Sequence, residues 1–172
     1  MVQATAALAA VTAFDASVSV GYNPDRPWQQ KWRDVQNGLS GIEQVYAAAD
    51  INDEVIRRQV EDFFKGCREM ADWVKEQAGK PEAMAYVNSD PDLVICDGMA
   101  QTVKHHTRRP QRDPDPLTAR VARVHGGGGV RVEIDWSRPS GASGTEDALD
   151  LARRCVAAWE SFFQQNNLDP AT

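Results

Sequence analysis

From Asp53 to Ala78, apolar side chains recur at steps of three and four: Ile56, Val60, Phe63, Phe64, Cys67, Met70, Ala71 and Val74. That spacing follows the 3.6-residue turn, so the segment is expected to be a long amphipathic helix with one buried stripe. Asp53 and Glu54 fall in its first turn, where acids suit the helix dipole, and Gly79 followed by Pro81 ends it. The preceding segment repeats the pattern with Trp28, Trp32, Val35, Leu39, Ile42 and Tyr46. Here the turn Asn23-Pro24-Asp25-Arg26-Pro27 delivers Pro27 to the first helical position. Only Asp50-Ile51-Asn52-Asp53 separates the two helices, and so short a connection makes them antiparallel neighbours. Gly38 and Gly41 each weaken the first helix by about 1 kcal/mol relative to alanine, which close packing against a neighbour would explain.

Lys80 to Asp90 reads as a polar, irregular connection, and Ser89 or Asp90 caps a further helix running to about Thr107. Pro110, Pro114 and Pro116 form a linker. Leu117 to Val124 and Val130 to Trp136 then alternate on either side of Gly126 to Gly129, the signature of a β-hairpin. Those glycines lack the lysine and following helix that a phosphate-cradling loop needs. Ser137 to Gly144 reads as a loop, after which Thr145, Glu146 and Asp147 start a last helix with Leu149, Ala152, Val156, Trp159, Phe162 and Phe163 buried. Thr12 to Tyr22 alternates loosely and suits either an edge strand or an extension of the alanine-rich residues before it. The expected fold is α+β, mainly α. It is an antiparallel helical bundle (27–108) with a small antiparallel hairpin or sheet (117–136) before a C-terminal helix (145–167), in one domain over 1–172.

The chain of 172 residues is long enough to bury a core without staples, and no apolar run approaches the ~20 residues of a membrane span. The alanine-rich start lacks the basic region of a signal peptide and reads as mature protein or a tail. Cys67, Cys96 and Cys155 make an odd count without CxxC spacing, which suits reduced, buried thiols in a cytoplasm. A zinc site from His105, His106, His125 and a cysteine lacks ligand spacing, so neither metal nor cofactor is expected. A net charge of −6 opposes indiscriminate nucleic-acid binding. The distribution is uneven, however: Lys104 to Arg112 contains no acid, while Asp90, Asp92 and Asp97 precede it and Asp113 and Asp115 follow. Such a patch suits a phosphate or an acidic partner, or simply a solvated helix end.

Chemistry concentrates in Ile95 to His106. Wound as a helix, this stretch puts Asp97, Gln101, Lys104, His105 and Arg108 on one side and Ile95, Cys96, Met99, Ala100 and Val103 on the other. The polar side gathers donors, acceptors and a group that titrates near neutrality. His106 turns towards the apolar side. Trp28, Trp32, Trp73 and Trp159 sit at helical core positions and read as anchors before base-stacking platforms.

Two long antiparallel helices followed by a shorter helix bearing Lys104-His105 resemble HEPN-type helical bundles. The pattern I-C-x-x-x-A-x-x-x-K-H from Ile95 to His105 is similar to one in uncharacterised bacterial proteins of this size. In those proteins a hairpin follows, and then a helix like Asp147 to Arg154 and Trp159 to Phe163. The likeness spans Trp28 to Phe163. It implies two bundles pairing so that their motifs line a shared cleft, where a histidine and an arginine promote attack of a ribose 2′-hydroxyl. His105 matches the family histidine and Lys104 its common neighbour. The arginine does not carry over: Gly98 to Gln101 occupy its window, and Asp97 lies about two turns before His105. Gln101 stands where the related pattern often has asparagine, and Arg108, one turn beyond His105, offers a substitute cation.

Three functions are compatible with these residues. In the first, His105, Lys104 and Asp97 act as catalytic groups of a homodimeric, metal-independent endoribonuclease, with Gln101, Arg108 and Arg109 binding the ligand. The second keeps the bundle without the arginine, as a non-catalytic interaction module for a protein partner or phosphate-bearing ligand in a bacterial defence or toxin–antitoxin setting. The third is an orphan structural protein in which His105 merely orients a helix end. The missing arginine favours the second.

Overall fold

The computed structural model describes residues 27–48, 52–104, 114–126 and 129–171. The strand considered over Thr12 to Tyr22 lies outside them. In chain order the described elements are α1 (Trp28–Ala47), α2 (Asp53–Ala78), α3 (Ala83–Ser89), α4 (Pro91–Lys104), β1 (Thr118–His125), β2 (Arg131–Ser137), β3 (Ser143–Asp147) and α5 (Ala148–Gln165). This is a mainly helical α+β fold with a small antiparallel sheet before the C-terminal helix, as the hydrophobic patterning implies. No helix among the described residues is long and apolar enough to cross a membrane.

The stripe of α2 is buried as expected from Ile56 to Val74. Asn52 caps it by accepting the Glu54 N–H at 2.8 Å, and Gly79 ends it in the left-handed conformation at φ 64°. Contacts with α1 run in opposite senses: Lys31 pairs with Glu69 at 2.8 Å, and Gly38 lies under Phe63. The helices are therefore antiparallel. A Cβ on Gly38 would come within 3.2 Å of the Phe63 ring, so the missing side chain is what lets the helices approach. Pro27 stands one place earlier than expected. It is the N-cap, with ψ 149°, and its carbonyl accepts the Gln30 N–H.

The helix α4 departs from the amphipathic expectation. Every residue from Ile95 to Ala100 is buried, more than a full turn, because α2, α3, α5 and β1 all pack around it. A helix enclosed on all sides has no solvent face. Its two ends emerge, at Pro91 and beyond Ala100, and in the last turn Val103, expected on the buried side, is 42% exposed. Asp90 is its cap, accepting the N–H groups of Asp92 and Leu93.

The supposedly irregular connection before α4 contains α3. Its Tyr86 hydroxyl donates to the Ala158 carbonyl at 2.9 Å, and its ring lies 5.0 Å from Phe162. Phe163 in turn meets Trp28 and Trp32, each at 5.0 Å, so one aromatic cluster joins α1, α3 and α5. Of the four tryptophans expected in the core, Trp28, Trp32 and Trp159 are buried, while Trp73 is half-buried at its edge.

The sheet has the order β1-β2-β3, antiparallel throughout. The register slips between Val121 and Arg123, a bulge that leaves Ala122 unpaired. From α2, Arg57 donates to the Val121 carbonyl at 2.8 Å beside that bulge. The last helix begins at Ala148 rather than Thr145. Thr145 and Glu146 are extended and pair with Asp135 and Ile134, and the capping group is Asp147, which accepts the N–H of Leu149 and of Asp150. Thr and Asp both cap well, so the sequence offers two starts and strand pairing selects the later one.

Candidate functional site

Of the candidate residues, Asp97, Gln101 and Lys104 fall on α4. His105, His106, Arg108 and Arg109 lie outside the described residues. Asp97 is the buried charged residue of the described chain, 6% exposed. Arg68 on α2 donates through Nε to its carboxylate at 3.2 Å, and Gln101 donates to the same oxygen at 3.3 Å. Arg68 also pairs with Asp72. Burial alone would lower the Arg68 pKa, but Asp72 and Asp97 outweigh it and hold the guanidinium more firmly protonated than usual. Asp97 is thus a strut between α2 and α4, set by its ion pair, and not the solvent-lined acid that the helical wheel suggested. Sequence alone hid this because Arg68 sits on a different helix.

Gln101 and Thr102, where α4 emerges, form one wall of a groove of about 640 Å³. The sheet supplies the rest. Arg120, Asp135 and Thr145 form one cross-strand row, and Thr145 donates to the Asp135 carboxylate at 2.8 Å. The neighbouring row is Ala119, Trp136 and Gly144. The Trp136 ring leans across Gly144, so close that a Cβ there would lie 2.8 Å from it. An edge glycine covered by an aromatic from the adjacent strand is a recurring way to keep such a strand packed. The Trp136 indole N–H is buried yet has no hydrogen-bond partner among the described residues. Arg120 is exposed and has no ion-pair partner among them either. The groove therefore offers a cation, hydroxyls and an aromatic wall beside the Asp135 carboxylate, which suits holding an oxygen-rich ligand. The one described histidine, His125, lies elsewhere, paired with Glu133 at 3.1 Å across the hairpin.

A second constellation is invisible in the sequence. Cys67 on α2, Cys96 on α4 and Cys155 on α5 converge in the core with their sulfur atoms all within 4.8 Å of one another. Each is buried and free, which agrees with the reading of the three as reduced, buried thiols. Their wide separation along the chain carries no ligand signature. The signal was only that each falls on the inner stripe of its own helix.

Comparison with family models, with curated proteins and with solved structures finds no match for this chain.

Proposed function

We propose that this chain is a non-catalytic, HEPN-like interaction module that holds a phosphate-bearing ligand in the groove between the end of α4 and the sheet. The observation that carries the reading is Arg120, an exposed cation without an ion-pair partner among the described residues, lining a groove that also has the Trp136 ring in its wall. Sequence connectivity adds to it. The acid-free run from Lys104 to Arg112 joins α4 to β1, and both elements contribute walls of the groove. Binding rather than turnover follows from the residues at hand. Asp97, the acid of α4 that the catalytic reading needs, is occupied by Arg68, and the family arginine is missing. In this reading the module works in the cytoplasm as a homodimer beside a protein partner, of the kind a defence or toxin–antitoxin pair would supply.

The test is titration of a fluorescent single-stranded RNA oligonucleotide and of a phosphopeptide into the wild type, Arg120→Glu and Trp136→Phe. Saturable binding of one probe, weakened at least tenfold by Arg120→Glu and falling with salt, supports the proposal. Equal binding by the wild type and Arg120→Glu sinks it. Gel analysis of the same RNA after incubation covers the catalytic alternative: cleavage that disappears in His105→Ala would replace this reading with the endoribonuclease one.

A further inference from the structure

The three core thiols invite a chemical question that the groove does not. Cys67, Cys96 and Cys155 arrive from three different helices, and all are essentially inaccessible to solvent. Thiolates bound to a soft metal ion at about 2.3 Å stand roughly 3.5–4 Å apart. A triangle with sides no longer than 4.8 Å is therefore within a small rotamer adjustment of ligation. Two of the thiols already have oxygen acceptors: Cys96 donates to the Phe64 carbonyl at 3.3 Å and Cys155 to the Asp92 carbonyl at 3.6 Å. The indole N–H of Trp159 is an independent pointer. Trp159 is fully buried, its N–H has no hydrogen-bond partner among the described residues, and it lies within electrostatic reach of the Cys67 sulfur. A buried donor without an acceptor is costly, and a thiolate sulfur would supply one.

Coordination number and charge select the ligand. Among the described residues the cluster has three members and no fourth His, Cys, Asp or Glu, whereas structural zinc asks for four. The surroundings are apolar, and Lys31, the cation whose charge reaches Cys67, is already committed to Glu69 at 2.8 Å. Three thiolates around a monovalent or divalent ion would leave net negative charge in a dry core, which is expensive. A trivalent centre leaves none.

We infer that Cys67, Cys96 and Cys155 form a three-sulfur site for a trivalent thiophilic metalloid of the arsenite class. The reaction needs no oxidant. Three S–As bonds form as three As–O bonds of arsenous acid break, and each thiol proton leaves with a hydroxide as water. Arsenic remains trivalent, its lone pair occupies the fourth position, and the product is neutral. Because the site is enclosed, loading takes place during folding or through slow opening of the packing around α4.

The test uses the full chain and sodium arsenite, added to folded protein over a day and, separately, present during refolding. One arsenic per chain by either route is expected, with loss of all three thiols to a thiol reagent in urea and a higher melting temperature. X-ray absorption should show three sulfur neighbours and no oxygen. Cys67→Ala, Cys96→Ala and Cys155→Ala should each lower affinity at least a hundredfold. Because removing a core thiol leaves a cavity that itself destabilises the fold, the sulfur count on the wild type stands as an independent measure. Failure to load by both routes, two sulfurs with an oxygen, binding that survives loss of any one cysteine, or displacement by equimolar zinc would each overturn the assignment. The groove reading is untouched by any of these results.

Discussion

The Tyr46 hydroxyl on α1 lies 3.2 Å from both carboxylate oxygens of Asp147, the residue that caps α5. It also accepts the N–H groups of Val132 at 3.0 Å and Leu149 at 3.3 Å, so one phenol ties α1, β2 and α5 together. Burial first, and then the Asp147 charge, push its pKa from 10.0 up to about 12. The folded state therefore holds this proton more tightly than the unfolded chain does. Its contribution to stability is fully present below pH 10 and is lost as pH rises towards 12. After discounting for solvent reaching a half-buried ring, we expect about 1–2 kcal/mol of alkaline destabilisation from this group. Urea unfolding at several pH values between 7 and 12 should show that loss in the wild type, and Tyr46→Phe should lose less over the same range. An identical slope in both proteins would contradict the assignment.

The ion pair between Arg68 and Asp97 should matter far more than its surface counterparts. Arg68→Met leaves a carboxylate in the core without its guanidinium, for which a loss of about 2–4 kcal/mol is expected. Arg58 and Asp62, 3.8 Å apart on the exposed face of the same helix, provide the internal control. Arg58→Met should change stability by no more than about 0.5 kcal/mol. Adding Asp97→Asn to Arg68→Met should recover part of the loss, because a neutral amide is less costly to bury than an unmatched charge. Chemical denaturation of the four proteins measures each of these differences.

Which features could be read from the sequence follows from how local their causes are. The α1–α2 pair and the inner face of α5 rest on periodicity alone, and every residue named for those inner faces is buried or packed at the core edge. The hairpin was equally legible, since alternation around Gly126 to Gly129 is a local signal. By contrast, α3 spans only seven residues, too few for a period to emerge, and it is held by Tyr86 reaching Ala158. Strand β3 carries Ser, Gly and Thr, residues typical of loops, and exists because β2 offers it a ladder. The helical wheel of α4 set Asp97 against Cys96 and Met99, yet all three are buried. A wheel describes one helix in water, whereas Arg68, arriving from α2, makes a charge tolerable inside. The cysteine triangle is non-local for the same reason.

Gly98 marks the closest approach of α4 to the entry of β1. A Cβ there would lie 2.4 Å from a Leu117 methyl and 2.9 Å from the Leu117 carbonyl oxygen. The methyl can rotate away, but the backbone oxygen cannot. Gly98→Ala should therefore destabilise the protein by about 1–3 kcal/mol, although alanine is the better helix former. Gly66 on α2 reverses the balance, because its nearest obstacle is the tip of Lys31 at 3.7 Å. Gly66→Ala is expected to be stabilising by up to about 1 kcal/mol. Thermal unfolding of both variants checks the pair, and destabilisation by Gly66→Ala would show that the two helices lie closer than described.

The groove depends on the Trp136 ring resting over Gly144. A methyl group at 144 would meet the ring at 2.8 Å and would tilt it out of its place between the strands. We expect Gly144→Ala to shift the Trp136 indole N–H resonance in a proton–nitrogen correlation spectrum while leaving those of Trp28, Trp32 and Trp159 in place. The stability loss should be about 1–2 kcal/mol, since the edge strand retains its ladder. Thr145→Ala, next along β3, removes only an exposed hydroxyl bonded to Asp135 and should leave the Trp136 signal unmoved. If the ring forms the aromatic wall on which a ligand rests, Gly144→Ala weakens binding severalfold and Thr145→Ala changes it less. Equal losses from both would place the ligand on the Arg120 row instead.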